Sequence, residues 1–236
     1  MNESDSLAVL RNSTLFHGLT AEELEKVARA AKPFTIEPGA QLFRQEDPAA
    51  RIYMLGSGQV KLVQNTPDGQ QVLLRLVGPG EALGIVATLE GSVYPATAQA
   101  AAPGSGCSWD GKTLHRLMEA HPRIALNAIP FLVSRVHELQ DRFRELATER
   151  VERRVARLLL RLVSQVGRRV PDGVQIGMAL TRQDLAEMTG TTLYTVSRIL
   201  SQWEELGLVK TGRKKVLIRA PHRLVAIAEE LPPARS

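Results

Sequence analysis

Between Met188 and Lys210, apolar side chains recur every three or four positions, as they do along one face of an α-helix. Glycines on either side, Gly190 and Gly207, set the limits of this predicted helix. Its apolar positions are Val196, Ile199, Leu200, Trp203 and Leu206. The opposite face has hydroxyl groups and one arginine, and no further charge before Glu204: it carries Thr192, Tyr194, Thr195, Ser197 and Arg198. A merely solvated face would usually carry Glu, Lys and Gln, so this one indicates a specific contact.

A second helical segment comes just before it. Thr181 can cap a helix whose first turn holds Asp184, and Gly190 ends that helix. Two helices joined by a tight glycine turn form a helix-turn-helix, and the second helix of this motif lies in the DNA major groove. The hydroxyl-and-arginine face is therefore predicted to read DNA.

Different side chains of this segment suit different DNA contacts. Arg198 can donate two parallel hydrogen bonds to guanine O6 and N7, worth about 1–3 kcal/mol of discrimination. Ser197 and Tyr194 can reach neighbouring bases. Phosphate contacts, which position a protein without specifying sequence, suit Thr181, Arg182, Gln183, Thr192 and Thr195. Residues 208–220 predict a small hairpin with a basic tip, a wing for the DNA backbone, formed by Gly212, Arg213, Lys214 and Lys215.

The first half of the chain has a different pattern. Residues 13–31 predict a short amphipathic helix with Thr20 as its N-cap and Glu23 three residues on, a capping-box pattern. From Phe34, short apolar stretches alternate with turn sequences at 37–40, 56–59, 66–70, 78–81 and 102–106. This alternation predicts an antiparallel β-structure of many short strands, with its clearest hairpin turn at Asp68-Gly69.

After Trp109 the pattern is helical, and one set of apolar residues is spaced 3, 4, 3, 4, 3. This heptad seam comprises Ile129, Leu132, Val136, Leu139, Phe143 and Leu146. A seam of this kind can pack on its own β-domain or on a second copy of itself. It is narrower than the apolar face of an ordinary surface helix, which favours dimerisation. Pro130 should either kink the helix or mark its true start.

The helical phase is interrupted at residues 146–150, where we place a hinge. Thr148 can cap a new helix, with Glu149 and Glu152 in its first turn. That helix is strongly amphipathic and is predicted to hold its arginines on the outside: Arg153, Arg154, Arg157 and Arg161. The predicted domains are an effector-sensing domain at 1–120, a dimerisation helix at 121–147 and a DNA-binding domain at 148–236.

Charge divides the chain in the same way. Residues 1–149 hold 14 Lys/Arg and 17 Asp/Glu, a net charge of −3, whereas residues 150–236 hold 16 and 8, a net charge of +8. A basic rear third indicates a polyanionic partner. A solvated basic surface without such a partner is the alternative reading of charge alone.

Composition excludes several classes of protein. No run approaches the ~18 apolar residues of a membrane span, and the acidic, polar start is unlike a signal peptide, so we expect a cytoplasmic protein without a membrane partner. The single cysteine, Cys107, excludes an internal disulfide and a cysteine-ligated iron–sulfur cluster within one chain, and is more typical of inert packing than of a sensor. The sequence has no serine–histidine–acid arrangement, metal-spaced cluster or phosphate-cradling loop, so we do not expect an enzyme.

The order of elements resembles the Crp/Fnr superfamily of bacterial transcription regulators. The segment "LTRQDLAEMTGTTLYTVSRILSQWEELGLV" is similar to the recognition signature of the family, and "LFHGL", "GSGQVKLVQNTPDGQQVLL" and "PGEALG" are similar to its effector domain. The resemblance implies an α+β fold: an N-terminal cyclic-nucleotide-binding-like β-roll, a long dimerisation helix and a C-terminal winged helix-turn-helix. It also implies an effector-responsive homodimer that binds palindromic double-stranded DNA near promoters and contacts RNA polymerase.

The effector pocket implied by the resemblance comprises Gly80, Glu81, Leu83, Gly84, Tyr94, Pro95, Ala96, Thr97 and His137. Tyr94 and Pro95 stand where cyclic-nucleotide binders of the family have an arginine and a small residue. Without that cation a buried phosphate has little to offset its desolvation, so we expect an effector other than cyclic AMP. Tyr194 stands where the family usually has a glutamate, which alters the preference for cytosine.

Two further stretches, residues 44–71 and 94–100, look similar to the nitrogen-oxide-responsive, nitrate-respiration branch, some of whose members bind haem. The Ser197-Arg198 pair matches the same branch and implies a TTG-like half-site. His17 and His137 are the candidate haem ligands, although a histidine beside an apolar stripe is usually structural. The alternative function is a ligand-binding regulatory module whose C-terminal domain docks protein rather than DNA.

Overall fold

The computed structural model describes residues 3–66 and 71–230. The chain divides into two compact units, residues 1–138 and 139–236. The Asp68-Gly69 turn lies outside the described residues. None of the helices in the described ranges is both long enough and apolar enough to span a bilayer.

The first unit is built around one antiparallel sheet. Its elements are α1 (Glu3–Arg11), α2 (Ala21–Arg29), β1 (Lys32–Ile36), β2 (Gln41–Phe43), β3 (Arg51–Asn65), β4 (Gln71–Val77), β5 (Ala82–Leu83), a 3₁₀ turn (Ile85–Thr88), β6 (Thr97–Asp110) and α3 (Gly111–Ala120). The strand order is β1-β6-β3-β4, with β2 paired to β6 and β5 paired to β3. The predicted capping box is present, because the Thr20 hydroxyl accepts from the Glu23 amide while the Glu23 carboxylate accepts from the Thr20 amide.

The prediction of many short strands is wrong for the two central strands. β3 and β6 have 15 and 14 residues, and both run through sequences that were predicted to be turns, 56–59 and 102–106. The glycines of these sequences face each other and produce bulges in the ladder. Gly58 has φ +86, and a Cβ there would lie 2.5 Å from the Pro103 carbonyl oxygen, so only glycine fits.

Both faces of the sheet are covered, because four successive residues of β3 are buried. Ile52 and Met54 point into one core with Trp109, whose Nε1 donates to the Val27 carbonyl at 3.0 Å. Tyr53 and Leu55 point into a second core, which lies inside the rolled sheet. Strand alternation thus gives this unit two separate apolar interiors.

A long helix, α4 (Pro122–Thr148), leads from the first unit into the second. Pro130 lies inside this helix and does not mark its start. The expectation that Thr148 caps the next helix is wrong. Thr148 is the last residue of α4, and its hydroxyl donates to the Arg144 carbonyl one turn earlier. The hydroxyl therefore bonds within α4 and does not cap the next helix. Arg150 precedes the next helix and makes no side-chain cap.

The second unit continues with α5 (Val151–Val166), β7 (Gly167–Val170), β8 (Gly173–Ile176), α6 (Arg182–Thr189), α7 (Leu193–Glu205), β9 (Val209–Gly212), β10 (Lys215–Ile218) and α8 (Pro221–Glu229). Its sheet has the order β7-β8-β10-β9 and is antiparallel throughout. The apolar face of α5 forms the centre of this core with Val155, Leu158, Leu159 and Leu162. The β7–β8 hairpin was not predicted.

Candidate nucleic-acid interface and effector pocket

The helix-turn-helix is built by local caps. Thr181 and Asp184 form a capping box at the start of α6, with bonds of 2.8 and 3.0 Å. Gly190 ends α6 in the left-handed conformation, φ +61, as a C-cap glycine does. Thr192 then caps α7 by accepting from the Thr195 amide at 3.2 Å. Three short-range signals therefore place the two helices and the turn between them.

The α7 helix has one face that is buried against its own unit and one face that is exposed to solvent. Val196, Ile199, Leu200 and Trp203 are buried. The Trp203 indole donates to the Glu152 carboxylate of α5 at 3.1 Å, which fixes the helix on its support. On the other face Arg198 is exposed and the Tyr194 side chain is 78% exposed. Tyr194 and Arg198, two of the three residues expected to read bases, therefore project to solvent, whereas Ser197 is half-buried.

The wing has the expected form. Its strands β9 and β10 pair with Gly212 opposite Lys215, which leaves Arg213 and Lys214 as a two-residue turn. All three basic residues of the tip are exposed. The Lys214 carbonyl accepts from the Leu180 amide at 3.1 Å, just before α6 begins. The wing is therefore tied to the start of the helix-turn-helix.

The five residues expected to contact phosphate also have roles within the chain. Arg182 donates to the Thr211 hydroxyl at 3.1 Å and lies 3.7 Å from the Glu204 carboxylate, so it braces α6 against β9. Gln183 donates to Glu187 on the same helix at 2.9 Å. The other three are hydroxyls at the helix starts: Thr181 and Thr192 are caps, and the Thr195 hydroxyl lies 2.9 Å from that of Thr192. The first turn of a helix is in general a favourable place for a phosphate group.

The four arginines of α5 were predicted to lie on its outer face, but all four are half-buried and contact other parts of this unit. Arg154 donates to the Glu149 carbonyl at 2.8 Å and to the Thr189 carbonyl at 3.0 Å, which joins the end of α4 to the turn of the helix-turn-helix. Arg161 pairs with the buried Glu145. Arg153 and Arg157 both donate to the Ala228 carbonyl. The sequence signal that could have revealed this is the pair of acids at the end of α4 and just after it, Glu145 and Glu149.

Leu146, like Arg154, connects the end of α4 to the turn of the helix-turn-helix. A Cβ on Gly190 would lie 2.8 Å from the Leu146 Cδ2 atom, so the last seam residue of α4 packs directly on the turn. The left-handed conformation is what favours glycine at position 190, and the Leu146 side chain packs beside it.

The residues expected to line one effector pocket do not converge. Gly80 and Glu81 line a cleft of about 660 Å³ with residues of the 11–17 segment and of α4, and the Glu81 carboxylate pairs with Arg75 at 2.6 Å. Leu83 and Tyr94 belong to the second core, where Gly84 approaches Tyr94. Ala96 and Thr97 are buried at the start of β6, and the Thr97 hydroxyl accepts from the Gln45 amide at 3.0 Å. Pro95 and His137 are exposed.

The two candidate haem ligands do not meet at one site. His17 lines the cleft together with Asn127, whereas His137 is exposed on α4 and does not line it. Within the described ranges, no group of three or more His, Cys, Asp or Glu side chains is arranged to hold a metal ion. These residues do not fit a haem held between His17 and His137.

Cys107 lies on β6 in the first core, and burial raises the pKa of its thiol to about 12. The thiolate is the reactive form, so almost none of the reactive species exists at neutral pH. We expect the folded protein to react with a thiol-specific chromogenic disulfide only when denaturing guanidinium is present. Complete labelling of the native protein within seconds at pH 8 would contradict this assignment of Cys107 as an inert core residue.

Two family models match the chain: the cyclic nucleotide-binding domain over residues 33–121 and the Crp-like helix-turn-helix domain over residues 153–227. The cyclic AMP receptor protein of Thermus thermophilus is 30% identical over 219 residues, which cover 93% of this chain and 98% of that protein. A CRP-like cAMP-activated global transcriptional regulator of Mycobacterium tuberculosis is 24% identical over 92% of this chain and 96% of its own length. Among solved structures, FixK2 from Bradyrhizobium japonicum superposes with a TM-score of 0.73 at 22% identity, covering 87% of this chain and 99% of that one.

Proposed function

The chain belongs to the Crp/Fnr family of transcription regulators, and from this premise we propose that it binds a palindromic promoter site as a homodimer. The observation that carries the proposal is the free face of α7, with Arg198 and Tyr194 in solvent on a helix anchored by Trp203. Two such helices, about 34 Å apart, enter successive major grooves on one side of the duplex.

The surface of α4 supports the homodimer. All six seam residues are large and apolar, and their side chains are between 48% and 76% exposed in the single chain. Contiguous exposed apolar patches usually mark an interaction site. A second copy of α4 covers this stripe by coiled-coil packing, with each seam residue seated among four residues of the partner helix.

The regulatory step is a shift between arrangements of the two subunits. The contacts of Arg154 and Leu146 connect the end of α4 to the turn before α7. A change in the packing of the seam would therefore alter the spacing of the two recognition helices. An effector can drive this change only if it binds one arrangement more tightly than the other. The bound regulator would then contact RNA polymerase at the promoter.

Salt dependence tests the DNA proposal against the alternative of protein docking. A duplex selected by the protein from a random pool serves as ligand, and fluorescence anisotropy gives the dissociation constant between 50 and 200 mM salt. A dimer that contacts about six or more phosphates should lose about 10³-fold in affinity over this range, because each contact releases counterions. Failure to select any duplex, or binding that ignores salt, would favour the protein-docking alternative.

Wing variants refine the same measurement. Lys214→Ala removes one phosphate contact from each subunit, so the slope of log affinity against log salt should fall by about 2. Lys112→Ala removes a charge that is also exposed, but in the first unit, and should leave the slope unchanged. An equal slope for both variants would remove the wing from the proposed interface.

A further inference from the structure

Tyr94 occupies the interior of the β-roll. It stands in the segment before β6 and was expected to line an effector pocket, but it is only 3% exposed. It belongs to the second core, whose other members come from several strands and include Leu55, Val60, Leu83, Ala98 and Ala100. This tyrosine therefore fills the interior of the domain that matches the cyclic nucleotide-binding model.

The ring is held as a bound aromatic molecule would be held. It stacks on Phe43 with the ring centroids 3.9 Å apart and 13° between the planes. Its hydroxyl donates to the Arg51 carbonyl at 2.7 Å and accepts from the Arg51 amide at 2.9 Å. Both hydrogen-bonding functions of the phenol are thus satisfied by the backbone of β3, and burying the ring costs no unpaired polar group.

The backbone closes around this ring at Gly84. This glycine has φ +71, and a Cβ there would lie 2.8 Å from the Arg51 carbonyl oxygen and 3.0 Å from the Tyr94 ring. Tyr94 lines neither the cleft between the 11–17 segment and α4 nor the cleft between residues 45–46 and 64–66. Because the side chain is almost fully buried and Gly84 closes on it, the Tyr94 ring itself occupies this part of the interior.

We propose that Tyr94 is a built-in ligand: its phenol ring takes the place of an effector inside the β-roll, and the DNA-binding form is reached without a cyclic nucleotide. This inference rests on the proposed DNA-binding function. Three segments converge on the ring, namely β2 through Phe43, β3 through Arg51, and the turn at Gly84. The ring holds these three segments together, as a small ligand does in a domain that depends on a ligand.

The first arm of the test is thermal unfolding with phenol as the probe. Tyr94→Ala removes a phenol-sized group and should lower Tm by about 10 °C. An apolar cavity left by such a change can bind a small aromatic molecule. Millimolar phenol should therefore raise the Tm of Tyr94→Ala by several degrees, and benzene should raise it less because it cannot bond to Arg51. The wild type should be unaffected by either compound.

The second arm is binding to the selected duplex. Tyr94→Ala should bind at least tenfold more weakly than the wild type, and phenol should restore most of that loss. Tyr94→Phe keeps the ring but loses both hydrogen bonds to Arg51, so it should bind DNA more weakly than the wild type and more tightly than Tyr94→Ala. The wild type should bind equally well with and without millimolar cyclic AMP or cyclic GMP.

Several outcomes would overturn the proposal. A tenfold or greater gain in wild-type DNA affinity with either nucleotide would show that the β-roll still takes a cyclic nucleotide. Unchanged DNA affinity in Tyr94→Ala would show that Tyr94 is an ordinary core residue. The proposed DNA-binding function would not be affected by that result. If Tyr94→Ala does not fold, the nucleotide titration of the wild type and the affinity of Tyr94→Phe still decide the matter. If the wild type binds no duplex, the proposed DNA-binding function fails. This result is distinguishable from the others, because phenol could still raise the Tm of Tyr94→Ala.

Discussion

Arg198→Ala is expected to remove most of the preference for the selected DNA site while weak, salt-sensitive binding to any duplex remains. A bidentate arginine–guanine contact is worth about 1–3 kcal/mol, and a dimer makes two of them, so specific affinity should fall by about 30-fold or more. The side chain is exposed on α7, so its removal should not change the fold or the Tm. Anisotropy against the selected duplex and a scrambled duplex measures the loss.

Two further variants make this experiment specific. Arg198→Lys keeps the charge but cannot form the planar pair of hydrogen bonds, so it should keep non-specific affinity and lose discrimination. Gln202→Ala shortens an exposed side chain one turn further along the same helix and should bind like the wild type. If Arg198→Ala keeps the full ratio of specific to non-specific affinity, another residue reads the site.

The DNA-binding elements were predictable because the signals that define them are local. The caps at Thr181 and Thr192 act within three residues, and the conformation of Gly190 is fixed by glycine chemistry. The two-residue turn of the wing is similarly short-range. Neighbouring residues decide such features, so a single sequence is enough to place them.

The strands were harder to predict because glycine-rich sequences occur both at chain reversals and at bulges within a strand. Gly58 and Gly104 belong to sequences that read as chain reversals, yet the chain continues through both, and the glycines allow two backbones to approach closely. Whether such a sequence reverses or bulges depends on the strand opposite, which lies about 45 residues away in the chain. No local pattern contains that information.

The effector residues show a similar limit. Resemblance to a family gives the position of a residue in the chain but not the direction of its side chain. Glu81 lines the cleft beside the 11–17 segment and pairs with Arg75, whereas Leu83, two residues later, lies in the second core. Tyr94 was expected to line a cavity and instead fills one. A substitution of arginine by tyrosine signals the loss of a phosphate anchor, but only the stacking on Phe43 and the bonds to Arg51 reveal what the new side chain does.

Leu139→Lys is expected to convert the dimer into a monomer and to reduce affinity for the palindromic duplex by at least 100-fold. In the proposed seam each Leu139 packs beside its counterpart, so the variant would place two ammonium groups in an apolar interface. A monomer can occupy only one half-site, which removes half of the base and phosphate contacts. Sedimentation velocity at micromolar concentration measures the association, and anisotropy measures the affinity.

Gln140→Lys is the matched control, because it adds the same charge at the next position of α4, which is exposed and outside the seam. This control should remain dimeric and bind DNA normally. The Leu139 side chain is 62% exposed in the single chain, so the substitution should not destabilise the monomer. At a protein concentration where both are monomeric, Leu139→Lys and the wild type should unfold at the same temperature. A Leu139→Lys protein that still sediments as a dimer would show that the seam is not the interface. The exposed apolar stripe of α4 would then need another partner.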